Sequence, residues 1–159
     1  MRTERSELLK EFENKFNEFK KEMKFKASLE ELDSIFNVKD GVLNTGYVSE
    51  QLGRQISWRI VETLNGWANY LHNLVMPMPH NMVSNTESQL FNDSEKEDLM
   101  QLMNTIMAHN STNSLIGLKK DMKMQAEFID NSVNLWKETV QPKLISTIEK
   151  VNNYWKSKA

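Results

Sequence analysis

The residues best placed to do chemistry lie on one side of one segment. Arg59, Glu62, Asn65, Asn69 and His72 follow one another at spacings of three, three, four and three, so on an α-helix they share a face. Buried polar groups need hydrogen-bond partners, and convergent polar side chains are how helical bundles build ligand pockets. The same spacing also describes a solvated helix face that uses Asn where others use Lys. These five are therefore the candidate ligand-binding residues, in competition with that plainer reading.

Stronger catalytic signals are missing. The chain contains no G-x-G-x-x-G, G-x-x-x-x-G-K-[ST], H-E-x-x-H or G-x-S-x-G. The residues three before His72, His80 and His109 are Asn69, Pro77 and Ile106, so the Glu-x-x-His ligand set of di-iron bundles is absent. Nor do two histidines stand four apart. With no cysteine there is no thiolate ligand, thiol nucleophile or disulfide. We therefore expect no catalytic residue, no metal ligand and no cofactor.

Charge and composition narrow the partners. A formal charge of −2 gives no electrostatic reason to seek nucleic acid or an anionic membrane. The clusters Lys20-Lys21-Lys24 and Lys119-Lys120-Lys123 are interleaved with acidic residues and read as solvated faces. Residues 1–7 lack the apolar run of a signal peptide, and no stretch approaches the roughly 20 apolar residues that span a bilayer. The expectation is a soluble cytoplasmic protein. Its ten methionines are unusual. Met76, Met78 and Met82 flank a proline-containing loop and Met100, Met103 and Met107 follow it, and flexible thioethers suit either core filling or an adaptable binding surface.

The elements that must position these residues are helical. Leu115, Leu118, Met122, Ala126, Ile129, Val133, Trp136 and Val140 recur at spacings of three and four, and Leu144, Ile148, Val151 and Trp155 continue the rhythm. Only an α-helix aligns such residues on one face, and that face must be buried against other helices. Leu9, Phe12, Phe16, Phe19 and Met23 form a similar seam at the start. Leu52, Ile56, Ile60, Leu64, Trp67, Leu71 and Leu74 form another. The helix carrying this last seam also carries the candidate site. It is poor in charge: residues 1–33 hold 17 charged side chains, whereas the 42 residues from 51 to 92 hold four. It is expected to be the most buried helix.

The spacing predicts one all-α domain over 1–159, an antiparallel four-helix bundle with helices near 3–26, 49–75, 94–109 and 114–140. A short helix follows the capping box Ser28-Leu29-Glu30-Glu31. Two more boxes start at Ser84 and Ser94. Residues 38–48 read as a loop around Gly41 and Gly46, and 110–113 as a polar turn. Pro142 should bend the last helix, because a straight helix from 114 to 156 would run about 64 Å, several turns beyond a domain with a radius of gyration of roughly 15 Å. The apolar face after Pro142 then needs a cover. The leading functional expectation is a non-enzymatic interaction protein that forms a homodimer, with another helical protein as the other partner to consider. The alternative is a small-molecule- or metal-binding bundle, an enzyme included, built on the five-residue stripe.

Overall fold

Phenylalanines from the first helix and the link that follows it begin the core. In the computed structural model, which describes residues 2–159, the rings of Phe12 and Phe16 lie 6.5 Å apart, Phe16 and Phe25 5.6 Å, and Phe19 and Phe25 5.2 Å. All four are buried. Such ring pairs add to the burial of area itself. The chain is all-α: 84% is helix, with no β-strand among the described residues. In order the helices are α1 (Arg2–Met23), α2 (Leu29–Phe36), α3 (Val38–Thr45), α4 (Leu52–Val75), α5 (Met82–Ser88), α6 (Asp93–Lys119), α7 (Met122–Leu135), a π-helical turn (Trp136–Val140) and α8 (Gln141–Lys158).

The chain divides into two compact units, residues 1–63 with 111–134, and residues 64–110 with 135–159. In the first, α1 ends three residues earlier than expected, because Lys24 turns left-handed at φ 57°. The Lys20 ammonium then donates to the carbonyls of Lys26 and Ala27 at 3.1 and 3.0 Å. The Asp130 carboxylate on α7 accepts from the amides of Lys26 and Ala27, both at 2.8 Å. Ser28 caps α2 as its box predicts, its Oγ accepting from the Glu31 amide at 3.1 Å. Residues 38–45, expected to be loop, form α3 instead. Asn37 (φ 52°) closes α2 and Gly46 (φ 79°) closes α3, both left-handed, and Val38 and Val42 bury one side of the helix between them.

A second difference concerns the expected turn at 110–113. Helix α6 runs straight through it and ends ten residues later at Lys119. The buried residues Leu99, Leu102, Ile106, Asn110 and Ile116 keep the helical rhythm across the polar run. The break falls where Lys120 turns left-handed (φ 55°) and donates its amide to Ile116 O at 2.8 Å. Asp121 then caps α7, its Oδ1 accepting from the amides of Lys123 and Met124, each at 3.1 Å. The break also changes the phase of the stripe. Leu115, Leu118 and Met122, expected inside, are exposed, Leu118 by 82%, while Ala126, Ile129 and Val133 are buried as predicted.

In the second unit the expected capping boxes start elsewhere. Asn81 caps α5, accepting from the Ser84 amide at 3.0 Å. Asn92 and Glu95 exchange side-chain-to-amide hydrogen bonds of 2.8 and 3.2 Å at the start of α6. Helix α8 is not left without a cover, as expected from its apolar face. Leu144, Thr147 and Val151 are buried, and only Ile145 and Trp155 among its large apolar residues stay exposed. Trp155 Nε1 donates to Glu87 Oε1 at 3.0 Å, and the Lys150 ammonium meets Glu95 Oε2 at 2.7 Å while lying 5.0 Å from the Phe91 ring centre. That lysine hydrogen bond holds the Glu95 carboxyl below the ordinary glutamate value.

A left-handed lysine is strained by its Cβ, by roughly 1 kcal/mol or more relative to glycine. Lys120→Gly should therefore stabilise the fold by about 0.5–1 kcal/mol after the added unfolded-state entropy is offset. Urea titration followed by circular dichroism reads the change, and a lower midpoint would contradict it.

Candidate functional site

The five-residue stripe divides between the units. In the first unit Arg59 is half-buried on α4, with its Nη1 3.2 Å from Glu62 Oε2. Its Nε donates to Asn37 O at 3.3 Å, the carbonyl of the left-handed residue between α2 and α3. The aliphatic stem of Arg59 lies on Gly41, where a Cβ would come within 3.2 Å of Arg59 Cδ. The Thr63 hydroxyl shares its one proton between Arg59 O at 3.1 Å and Phe36 O at 3.5 Å. Arg59 thus latches the α2–α3 corner onto α4.

Arg59 and Glu62 also border a shallow cleft of about 500 Å³ between α3 and α4. Tyr47 and Trp58 stand at its edge, Trp58 63% exposed. Gln55 shapes the rim. Its Oε1 accepts from the Ser49 amide at 2.9 Å, and its Nε2 donates to Tyr47 O at 3.0 Å. The cleft offers two guanidiniums, that of Arg59 already paired with Glu62 and that of Arg54, beside the exposed rings of Tyr47 and Trp58.

In the second unit Asn65 Oδ1 accepts from Asn110 Nδ2 at 2.8 Å. Asn69 and His72 are exposed. The structure therefore joins Arg59 to Glu62 and gives Asn65 a partner on α6, while Asn69 and His72 lie on the outer face of α4. Helix α4 buries Gly53 and Ser57 along with Leu52, Ile56, Ile60, Leu64, Ala68, Leu71 and Leu74, more positions than any other helix, and keeps the rest of the stripe at its surface. Among the described residues no group of three or more His, Asp or Glu side chains is placed to hold a metal ion.

Two polar residues that sequence reasoning placed in or beside a turn matter more than the stripe. Asn110 is 94% buried (6% exposed) on α6, and its Oδ1 has no hydrogen-bond partner among the described residues. The signal was its position four after Ile106, on the core rhythm of α6. His109 beside it is half-buried, and burial lowers its pKa to about 4.

Both have measurable consequences. An unpaired buried acceptor costs about 1–3 kcal/mol, and exposed Asn65 can turn to water once its partner is gone. Asn110→Leu should leave stability unchanged or raise it by about 1 kcal/mol, and a loss above 1 kcal/mol would show that the amide is held by something else. His109 is neutral in both folded and unfolded chains at pH well above 6.5. As pH falls from about 6.5 towards 4 the unfolded chain gains a proton that the folded one resists, so stability declines through that window and levels off below it. The decline is on the order of 1–3 kcal/mol after discounting for partial exposure. His109→Gln should flatten this part of the stability–pH curve, and an unchanged slope would contradict it. No family model, curated protein or solved structure matches this chain.

Proposed function

We propose that this chain is a non-enzymatic interaction protein, an antiparallel four-helix bundle that acts as a cytoplasmic homodimer. The observation that carries the reading is a methionine-rich surface in the second unit. Residues 63–86 contain no Asp, Glu, Lys or Arg, and within them Met76, Met78, Met82 and Val83 are exposed, Met82 by 78%. Protein interfaces are depleted of charge at their cores and enriched in methionine and aromatic residues. Desolvating such a surface strips no ion of its water.

The backbone beneath these side chains is held firmly. Pro77 follows the end of α4, where it cannot continue the helix. Ser84 accepts from the Met78 amide and donates to Asn73 O, both at 3.3 Å. Asn85 Nδ2 donates to the carbonyls of Met78 and Asn81 at 2.8 and 2.9 Å. Buried Ser88 donates to Leu74 O at 2.6 Å. The loop is thus a fixed platform whose methionine tips alone remain adaptable, which lowers the ordering cost of docking. A two-fold pair of such surfaces is the simplest closed assembly, and a standard interface needs about 800 Å² per partner. The ligand-binding alternative has support only from Arg59 and Glu62 at the α3–α4 cleft.

Sedimentation equilibrium at tens of micromolar should give twice the 18.6 kDa chain mass, and a single-chain mass refutes the dimer. Met82→Glu with Val83→Glu should yield a monomer with unchanged helical content. A dimer that survives this pair would remove the methionine surface from the interface.

A further inference from the structure

We infer that a second groove, lying wholly within the first unit, binds a short zwitterionic ligand of free-peptide chemistry. The groove measures about 760 Å³ and runs between α1 and the corner where α6 meets α7, with the start of α4 contributing. Its two sides differ in charge. Glu18 and Glu22, four apart on α1, line one side with Glu50. Lys15 stands there too, its ammonium held 3.4 Å from Glu11 and 3.9 Å from Glu50, so this side keeps a net negative charge. The other side carries Arg54 and Lys120. Asp121 is beside them, but its Oδ1 is engaged by the α7 amides it caps.

Two glycines in end turns of helices make room for this arrangement, Gly53 in the first turn of α4 and Gly117 in the last turn of α6. A Cβ on Gly53 would come within 2.8 Å of Phe19 Cζ and 3.1 Å of Gln125 Cγ. A Cβ on Gly117 would come within 2.9 Å of Arg54 Cζ, so the guanidinium lies against the bare backbone of α6. A side chain at either position would have to displace these neighbours, Phe19 and Gln125 at Gly53 and Arg54 at Gly117. Phe19, Leu52, Ile116 and Met122 give the groove its apolar lining, beside the uncharged polar side chains of Ser49, Gln51 and Gln125, the last only 4% exposed. Gln125 Nε2 donates to Ser57 Oγ and, at 3.2 Å, to Asn113 Oδ1. With both amide protons committed, the carbonyl oxygen is what Gln125, a lining residue of the groove, has left to offer a peptide N–H.

An acidic side, a basic side, an apolar lining and a fixed acceptor match a molecule with an ammonium at one end, a carboxylate at the other and an amide between. Two or three extended residues reach about 7–10 Å, the spacing of neighbouring packed helices. A ligand with one kind of charge would meet repulsion on one side. This inference is independent of the dimer, which the methionine surface carries.

The test is calorimetric titration of the full chain with the tripeptide Ala-Leu-Ala, its N-acetyl form and its C-terminal amide. The free peptide should bind saturably, and blocking either end should weaken it about tenfold. Arg54→Gln, which leaves Lys120 as the sole cation of the basic side, should weaken the preference for a free carboxylate and keep the preference for a free amine. The double variant Glu18→Gln, Glu22→Gln should do the reverse. All three side chains are exposed, so the variants should keep the helical content of the parent. Equal binding of free and blocked peptides would overturn the inference, as would a diamine binding as tightly as the tripeptide. Absence of heat up to about 10 mM, where even millimolar affinity registers, would overturn it too.

Discussion

Seven side chains along α4 hold much of this molecule in place. Leu52, Ile56, Ile60, Leu64, Ala68, Leu71 and Leu74 are all nearly inaccessible, and each large one contributes about 1.5–3 kcal/mol by leaving water. A helix this poor in charge gains little from ion pairs along its own surface, so it depends on that seam. Its remaining polar groups are then free for another purpose. In the first unit the Arg59 side chain and Thr63 hydroxyl tie down the α2–α3 corner. In the second, the carbonyls of Asn73 and Leu74 receive the serine hydroxyls of α5. Apolar burial positions α4, and α4 in turn positions the short elements attached to it.

Polar groups inside the helices divide into two kinds. Gln125, Ser57 and Asn113 satisfy one another across α4, α6 and α7, and such a network specifies register because any slip would strand several donors at once. Asn110 is different, with one amide end paired and the other bare. Burial without full pairing is a local cost that the surrounding apolar contacts must offset.

Helix seams were the legible part of this chain, and turn chemistry was the obscure part. Phe12, Phe16, Ile56, Ile60, Leu64 and Ile129 could be placed in the core from spacing alone, because only one helical face aligns them. The run Asn110-Ser111-Thr112-Asn113 misled because its composition favours turns, whereas its neighbours Ile106 and Ile116 kept it helical. Asp40-Gly41 pointed to a loop, yet Val38 and Val42 supplied enough burial for two helical turns. Two of the four left-handed residues that end helices, Lys24 and Lys120, carry no such marker, since lysine is disfavoured there. For the five-residue stripe, spacing settled which residues share a side of α4. It could not tell which of them meet a partner on another element, as Asn65 does. The zwitterionic groove was invisible because Glu18, Arg54 and Lys120 come from three distant segments.

The π-helical turn at Trp136–Val140 carries a consequence for chain length. Gln141 donates its amide to Trp136 O, five residues back, one step further than in an α-helix. Such a turn is an α-helix holding one residue more than its pitch requires. Directly after it, Pro142 sits in the first turn of α8, where its missing amide and bulky ring are tolerated. The surplus residue and the proline are therefore matched. Removing one residue from 136–140 would restore a regular pitch but press the Pro142 ring onto the carbonyl four residues before it. Adding one would rotate every later side chain by about 100°, turning Leu144 and Val151 out of their core. The number of residues in this stretch is as tightly constrained as their identity.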